Sequence, residues 1–316
     1  MTILGASGFI GRSIVKRLAA QGALIAAVSR HASAARFLRP MGDVGQIALV
    51  DADLGNDAAL SAVLAGADAV VNAVGILYER GRQTFDALHH RLPARLGALA
   101  KSAGVKRLVH ISAIGADPAS PAAYGRSKAA GESALHAGFA EAVILRPSIV
   151  FGPDDAFFNR FGALARVSTA LPLIGGGTTR FQPVYVGDVA DAALAVLERE
   201  DAAGRVFELG GPEVFTFRQL MELLLREIGR KRLLVPIPFG LAALNALVVE
   251  RLPHPLITRD QLRMLKRDNV VAPGAPGLAE LGITPTAMEL VLPFYLDRFR
   301  HGGRPLGGVP HIVTTP

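Results

Sequence analysis

The sequence contains no cysteine. Disulfide stapling, thiolate zinc sites and a cysteine nucleophile are therefore all excluded. A histidine-based metal centre is not expected either. His89 and His90 are adjacent, so on a helix they point in different directions, and no third ligand lies at useful spacing. Both read as partly exposed side chains. No signal peptide precedes the first apolar run, which begins almost at Met1. With the absence of cysteine, this gives the expectation of a cytoplasmic protein, at most peripheral on the inner face of the cell membrane. The most apolar stretch, Leu233 to Val249 (LLVPIPFGLAALNALVV), is broken by Pro236 and Pro238 and falls short of the about 20 residues a spanning helix needs. No transmembrane segment is expected. Two roles stay open for this stretch: a helix buried against the main domain, or a surface that rests on a membrane or a partner protein.

What is present points to a folded α/β protein. The chain has 316 residues, of which 50% are hydrophobic and 19% charged, enough to bury a large core. The net charge is +7. Such a surface attracts nucleic acid, anionic lipid, an acidic partner or a phosphorylated ligand. The basic residues are spread along the chain and no aromatic-rich nucleic-acid module is visible, so nucleic acid is not an expected partner.

The first eleven residues, MTILGASGFIG, read as strand, glycine turn and helix. Gly5 permits the tight turn, Gly8 lets the backbone approach a pyrophosphate, and Gly11 lets the helix pack closely on the strand. Unpaired N–H groups at the helix start then face the anion. The spacing is G-x-x-G-x-x-G, and the turn offers Ser7, Phe9 and Ile10 beside the glycines. Further strands are predicted at Ala23 to Ser29, Gln46 to Val50, Ala67 to Val74, Val105 to Ile111 and Glu141 to Val150. The continuous apolar character of Ala67 to Val74 fits a parallel strand covered on both faces. At the end of the second strand, Ser29-Arg30 supplies an arginine where an acid would bind the ribose of NAD. Arg36 and Arg39 follow, so NADP(H) is favoured over NAD(H). The end of the fourth strand, Ala73, Val74 and Gly75, is expected beside the cofactor.

Tyr124 and Lys128 are four apart in a predicted helix and share one face. An ammonium beside a phenol favours the phenolate, which suits Tyr124 to acid/base work with Lys128 holding a ribose hydroxyl. A helix is also predicted from Arg82 to Ala103, interrupted or restarted at Pro93. Beyond the sixth strand the alternation loosens. Asp155 to Val167 reads as a helix, Leu173 to Thr179 as a glycine loop and Phe181 to Tyr185 as a short strand. Asp188 is expected to cap a helix through Glu200. Capping boxes are expected at Thr216 with Gln219, Thr258 with Gln261, and Thr286 with Glu289. The predicted architecture is a Rossmann-type doubly wound parallel sheet over 1–150, with returning segments from about 181–200. A smaller, mainly helical part for substrate or partner spans 151–300, and 301–316 reads as a flexible tail.

GASGFIG, the NAVG strand end, YGRSK, LRPSIVFGP and FQPVYVGDVA together resemble the extended and atypical short-chain dehydrogenase/reductases. More narrowly, GDVGQI, VVNAVGILYERG, HISAIGADP, FFNRF and LGGPEVFTFRQL look like bacterial relatives of the nucleotide-binding accessory subunit of mitochondrial respiratory complex I. That resemblance implies a tightly held NADPH, attachment beside the membrane arm, and a role in assembly or stability. It places Gly5, Gly8 and Gly11 at the pyrophosphate, Arg30 at the 2′-phosphate, and Asp53 and Leu54 beside the adenine. Tyr124 and Lys128 fall at the nicotinamide ribose, with Pro147 in the same cofactor set. Active members carry a Ser or Thr after the fifth strand. Ser112 is available for that role, but the position itself falls nearer Ile114, which would leave the site one donor short. The alternative is an active NADP-dependent oxidoreductase, epimerase or dehydratase on a sugar nucleotide or quinone-related substrate, with Tyr124, Lys128 and Ser112 as its catalytic set.

Overall fold

The structure, a computed structural model, describes residues 1–250 and 257–303. Most of the expected tail at 301–316 lies outside the described residues.

The chain opens with β1 (Thr2–Leu4), α1 (Phe9–Ala20), β2 (Ile25–Ser29), β3 (Ile47–Asp51), α2 (Asp57–Leu64) and β4 (Ala69–Asn72). It continues through α3 (Leu92–Ser102), β5 (Arg107–Ile111), α4 (Ala123–Gly138) and β6 (Val143–Pro147). Later elements are β7 (Val150–Phe151), α5 (Phe157–Val167), β8 (Ala170–Ile174), β9 (Arg180–Phe181), β10 (Val184–Tyr185), α6 (Val186–Glu198) and β11 (Val206–Leu209). Last come β12 (Phe215–Thr216), α7 (Phe217–Glu227), β13 (Leu233–Ile237), α8 (Phe239–Val249), α9 (Arg259–Met264) and α10 (Leu292–Leu296).

Seven strands form one parallel sheet in the order β11-β6-β5-β4-β1-β2-β3. On one face α1 and α6 pack Ile14, Val15, Leu18 and Val189 into a core, and on the other α2, α3 and α4 contribute Leu60, Leu64, Leu96 and Leu135. Both faces are covered, so all four residues of β4 are buried. This is the doubly wound Rossmann-type sheet. It takes in more returning chain than 181–200, because β11 pairs with β6, and Leu278 and Leu281 join the core. The strand order reverses between β1 and β4. A crevice at such a switch point is where open α/β sheets bind ligands.

A second core holds Phe151, Phe158, Phe217, Leu220, Leu224 and Tyr295. Several local expectations change here, each through a contact distant in sequence. The loop expected at Leu173 to Thr179 begins as strand, since Leu173 and Ile174 belong to β8, which pairs in parallel with β13. The sixth strand divides into β6 and β7 because Asn269 Oδ1 accepts hydrogen bonds from Ser148 Oγ (2.8 Å) and the Ile149 N–H (2.9 Å). Asp188 does not cap α6. It lies inside that helix, and its carboxylate accepts the N–H and Oγ1–H of Thr286, both at 2.7 Å. Thr286 is thereby drawn away from Glu289, and the third capping box does not form. The boxes at Thr216 and Thr258 do.

Leu233 to Val249 is a strand followed by a helix rather than one element. Ala242 and Ala246 are buried, whereas Leu241 and Leu244 are 60% and 64% exposed. The stretch therefore packs by its alanines and presents its leucines. Among the described residues no helix is long and apolar enough to cross a membrane.

A Cβ at Gly11 would lie 2.2 Å from Gly5 O, so α1 must move off β1 to admit one. Gly11→Ala is expected to destabilise the fold by about 1–3 kcal/mol, read by thermal or denaturant unfolding.

Candidate active site

The glycine turn is built by backbone proximity. Gly5 has a φ of +76°, and a Cβ there would meet Ala73 O at 3.0 Å and Val74 N at 3.1 Å. The C-terminal ends of β1 and β4 thus touch. The Gly8 N–H donates to Gly5 O at 3.0 Å and Gly8 precedes α1 without a side-chain cap. The first-turn N–H groups of Phe9, Ile10 and Gly11 then have no intrahelical acceptor and suit an anion. Arg12, which the sequence reading passed over, braces this turn. Its guanidinium donates to Ser7 O at 2.9 Å and Gly8 O at 3.3 Å and pairs with Asp154 at 2.8 Å. The available signal was a basic residue directly after the last motif glycine.

Arg30 stands exposed after β2, with Arg36 and Arg39 in the 3-10 segment Ala32–Met41. None of the three makes an ion pair among the described residues. Beside them Ser29 Oγ is buried without a hydrogen-bond partner. An orphaned hydroxyl, free cations and an uncapped helix start fit a phosphorylated dinucleotide. Asp53 is exposed, accepting the Gly55 N–H at 2.9 Å, and Leu54 O accepts from Arg95 at 3.0 Å. Ala73 and Val74 are half-buried and Gly75 is exposed. A Cβ on Gly75 would lie 3.6 Å from Lys128 Nζ, which brings the β4 end to α4. Pro147 is buried, and its carbonyl accepts the Ile114 N–H at 3.0 Å.

On α4, Tyr124, Lys128 and Glu132 repeat every fourth residue and are all buried. Lys128 Nζ donates to Ile111 O at 3.1 Å and sits 5.9 Å from the Tyr124 ring centre. Burial brings Lys128 down to about 8, opposed by the Glu132 charge. Burial also pushes Tyr124 up to about 12. The expected phenolate-favouring effect of Lys128 is therefore not realised here, because the ammonium bonds a carbonyl and makes no hydrogen bond to the phenol oxygen. Ser112 differs from its expected role as well. Its hydroxyl donates to Glu132 Oε1, and Glu132 is paired with Arg146 at 2.6 Å. A buried carboxylate, paired with a half-buried guanidinium, thus occupies the hydroxyl that would polarise a carbonyl. Ile114, the other position considered, is buried and apolar.

His89 is fully buried, which corrects the expectation of partial exposure, while His90 is partly exposed as expected, beside Asp86 at 3.0 Å. The cause is a π-helical turn, Asp86–Arg91, that leads without a break into α3 and turns His89 inward. Gly131 makes room for it, since a Cβ there would lie 1.7 Å from His89 O. Among the described residues no group of three potential ligands is placed to hold a metal. Asp260, from α9, accepts the N–H groups of Ala123 (2.7 Å) and Tyr124 (2.9 Å) and so caps α4. The sequence held one indirect signal of this: α4 has no capping residue of its own.

Residues 1–210 match the model of the NAD dependent epimerase/dehydratase family. The chain belongs to this family. It is 35% identical over 318 residues to the Arabidopsis thaliana protein named NADH dehydrogenase (ubiquinone) 1 alpha subcomplex subunit 9, mitochondrial, covering 97% of this chain and 79% of that one. The mouse protein of the same name is 31% identical over 292 residues, covering 92% and 77%. A Caulobacter vibrioides protein named ceramide reductase is 30% identical over 251 residues, covering 78% and 77%. Among solved structures, Citrobacter sp. triphenylmethane reductase complexed with NADP(H) shares the fold at a TM-score of 0.71 and 21% identity, covering 91% of this chain and 96% of that one. The family is NAD(P)-dependent, and its members similar to this chain include complex I subunits. The Arabidopsis and mouse relatives are named as mitochondrial, which overturns the expectation of a cytoplasmic protein. Neither an absent cysteine nor an early first strand reports a compartment.

Two outcomes follow from this geometry. Burial holds His89 down at about 3, against 6.5 for an ordinary histidine, and lowers His110 as well. A depressed histidine contributes stability that is complete above about pH 6.5 and is lost as the pH falls below it, for His89 down to about 3, at up to about 1.4 kcal/mol per pH unit for each ring. Denaturant unfolding at successive pH values checks this slope, and His89→Asn should reduce it. Asp260→Ala should cost about 0.5–2 kcal/mol through the lost α4 cap, read by the same unfolding.

Proposed function

We propose that this chain holds NADP(H) in the crevice between β1 and β4 and acts as a complex I accessory or assembly subunit without turning over a substrate. The observation that carries this reading is the state of the α4 face. Ser112 is held by Glu132 and Arg146, and the Tyr124 phenol is kept protonated by burial. The residues left free are those that bind: the glycine turn, Arg30 with Arg36 and Arg39 for a 2′-phosphate, and Ser29 Oγ for the adenosine end. Lys128 gives one N–H to Ile111 O and keeps two further donors for the nicotinamide ribose. The names of the Arabidopsis and mouse relatives support complex I subunits as partners. The exposed leucines of α8, preceded by Arg230, Lys231 and Arg232, support a peripheral membrane contact through Leu233 to Val249.

A second reading is an active reductase, epimerase or dehydratase. It is favoured by the retained Tyr124–Lys128 spacing and by the name of the Caulobacter relative. There the bound nicotinamide would exchange hydride with substrate, and Tyr124 would move the proton.

Protein purified without added nucleotide should retain NADPH, identified by mass spectrometry after denaturation. Arg30→Ala should lower NADPH retention about tenfold relative to NADH. Tyr124→Phe should leave retention unchanged, and a tagged copy should recover complex I subunits from its native host. Purified protein that exchanges nucleotide freely and oxidises NADPH with a small substrate, losing that activity in Tyr124→Phe, would establish the second reading.

A further inference from the structure

The turn Asp86–Arg91 is the π-helical stretch among the described residues. Such turns often mark functional positions. This one carries the His89 ring between Phe85, stacked at 5.2 Å, and Tyr124, edge-on at 5.3 Å. The Ile76 N–H donates to Nε2 at 3.1 Å, so Nε2 is the unprotonated nitrogen. Nδ1 therefore carries the proton and donates to Ser127 Oγ at 3.0 Å, and that hydroxyl donates to Tyr124 O at 2.8 Å. One neutral imidazole thus ties the loop after β4 to the start of α4, two segments that share no strand pairing. A Cβ on Gly75 would lie 3.9 Å from Nε2, which places the ring directly beneath this loop.

We propose that His89 is a positioning residue for the nucleotide: as a neutral imidazole it seats the Ala73–Ile76 loop against the Tyr124–Lys128 face of α4 and so sets the gap that receives the nicotinamide ribose. The inference rests on the nucleotide-binding reading of the crevice. The imidazolium cannot fill this role, because a protonated Nε2 would face the Ile76 N–H donor to donor. The surroundings favour the neutral ring. Lys128 and Tyr124 face it from α4, and the Lys128 charge opposes protonation. His110 is the titratable group from β5. The carboxylates on the same stretch are engaged elsewhere, Glu79 with the Phe85 N–H and Asp86 with His90 and Arg91.

The test uses the full chain stripped of nucleotide, with NADPH binding followed by its own fluorescence and hydrogen exchange measured at the Ile76 amide without nucleotide. His89→Leu leaves the Ile76 N–H unsatisfied, so NADPH binding should weaken and Ile76 exchange should accelerate, each about tenfold or more. His89→Gln carries an amide oxygen to the reach of Nε2, can accept the Ile76 N–H there, and should restore both towards wild type. Ser127→Ala removes the far end of the strut and should move both readouts in the same direction as His89→Leu. Wild-type affinity and exchange in His89→Leu would overturn the proposal, as would failure of His89→Gln to rescue. If His89→Leu does not fold, an unchanged Ser127→Ala would overturn it instead. A wild-type protein that binds no NADPH would overturn the nucleotide reading and the nucleotide role of His89 with it, whereas bound NADPH with unchanged variants would overturn the role of His89 alone.

Discussion

The contact between the backbones of Gly5 and Gly11 is the constraint on which the rest of the molecule depends. With no Cβ at Gly11, α1 lies directly on the turn that leaves β1, and with none at Gly5, that turn lies directly on the end of β4. Strand order reverses at this point, so the same two absences close the core and open the crevice. Arg12 then fixes the turn from outside through Ser7 O, Gly8 O and Asp154. The packing of α1 and the open N–H groups at its start are two consequences of one close approach.

A second constraint governs α4. Its inward face carries Tyr124, Lys128 and Glu132, three polar groups taken out of water. Burial of such groups is tolerable only when each finds a partner. Lys128 has the Ile111 carbonyl, while Glu132 has Arg146 and the Ser112 hydroxyl. Arg146 is half-buried and also faces Glu208 at 3.6 Å, so the buried Glu132 carboxylate is the partner that depends on the pair. The arrangement stabilises the junction of α4, β5 and β6, and it removes Ser112 from the set of groups available for chemistry. The residue types of a reductase site are present, and the hydrogen bonds that engage them are the basis of the proposed holding role.

The C-terminal part acts on the crevice through single polar contacts. Asp260 caps α4, Asn269 separates β6 from β7, and Gln261 reaches Leu77 O at 3.4 Å. These contacts come from the segment that follows the exposed leucines of α8. The outward apolar surface and the contacts that reach the crevice are therefore neighbours along the chain.

The alternation of strands and helices, the glycine turn, the Tyr124–Lys128 face and two of the capping boxes were legible in the sequence, because each rests on interactions within a few residues or on a simple periodicity. Strand existence followed from continuous apolar runs, since parallel strands buried on both faces require them. Tertiary structure alone decided where the polar groups found partners. Asp188 was readable as a cap until Thr286 claimed it, Ser112 as a donor until Glu132 did, and His89 as a surface residue until the π-helical turn faced it inward. The pairing of β8 with β13 and the capping of α4 by Asp260 were likewise invisible locally. A short sequence window determines the backbone conformation that a residue favours. Which distant group satisfies a buried hydrogen bond depends on how the whole chain comes together, and in this protein that decision separates the side chains free to bind from those already committed.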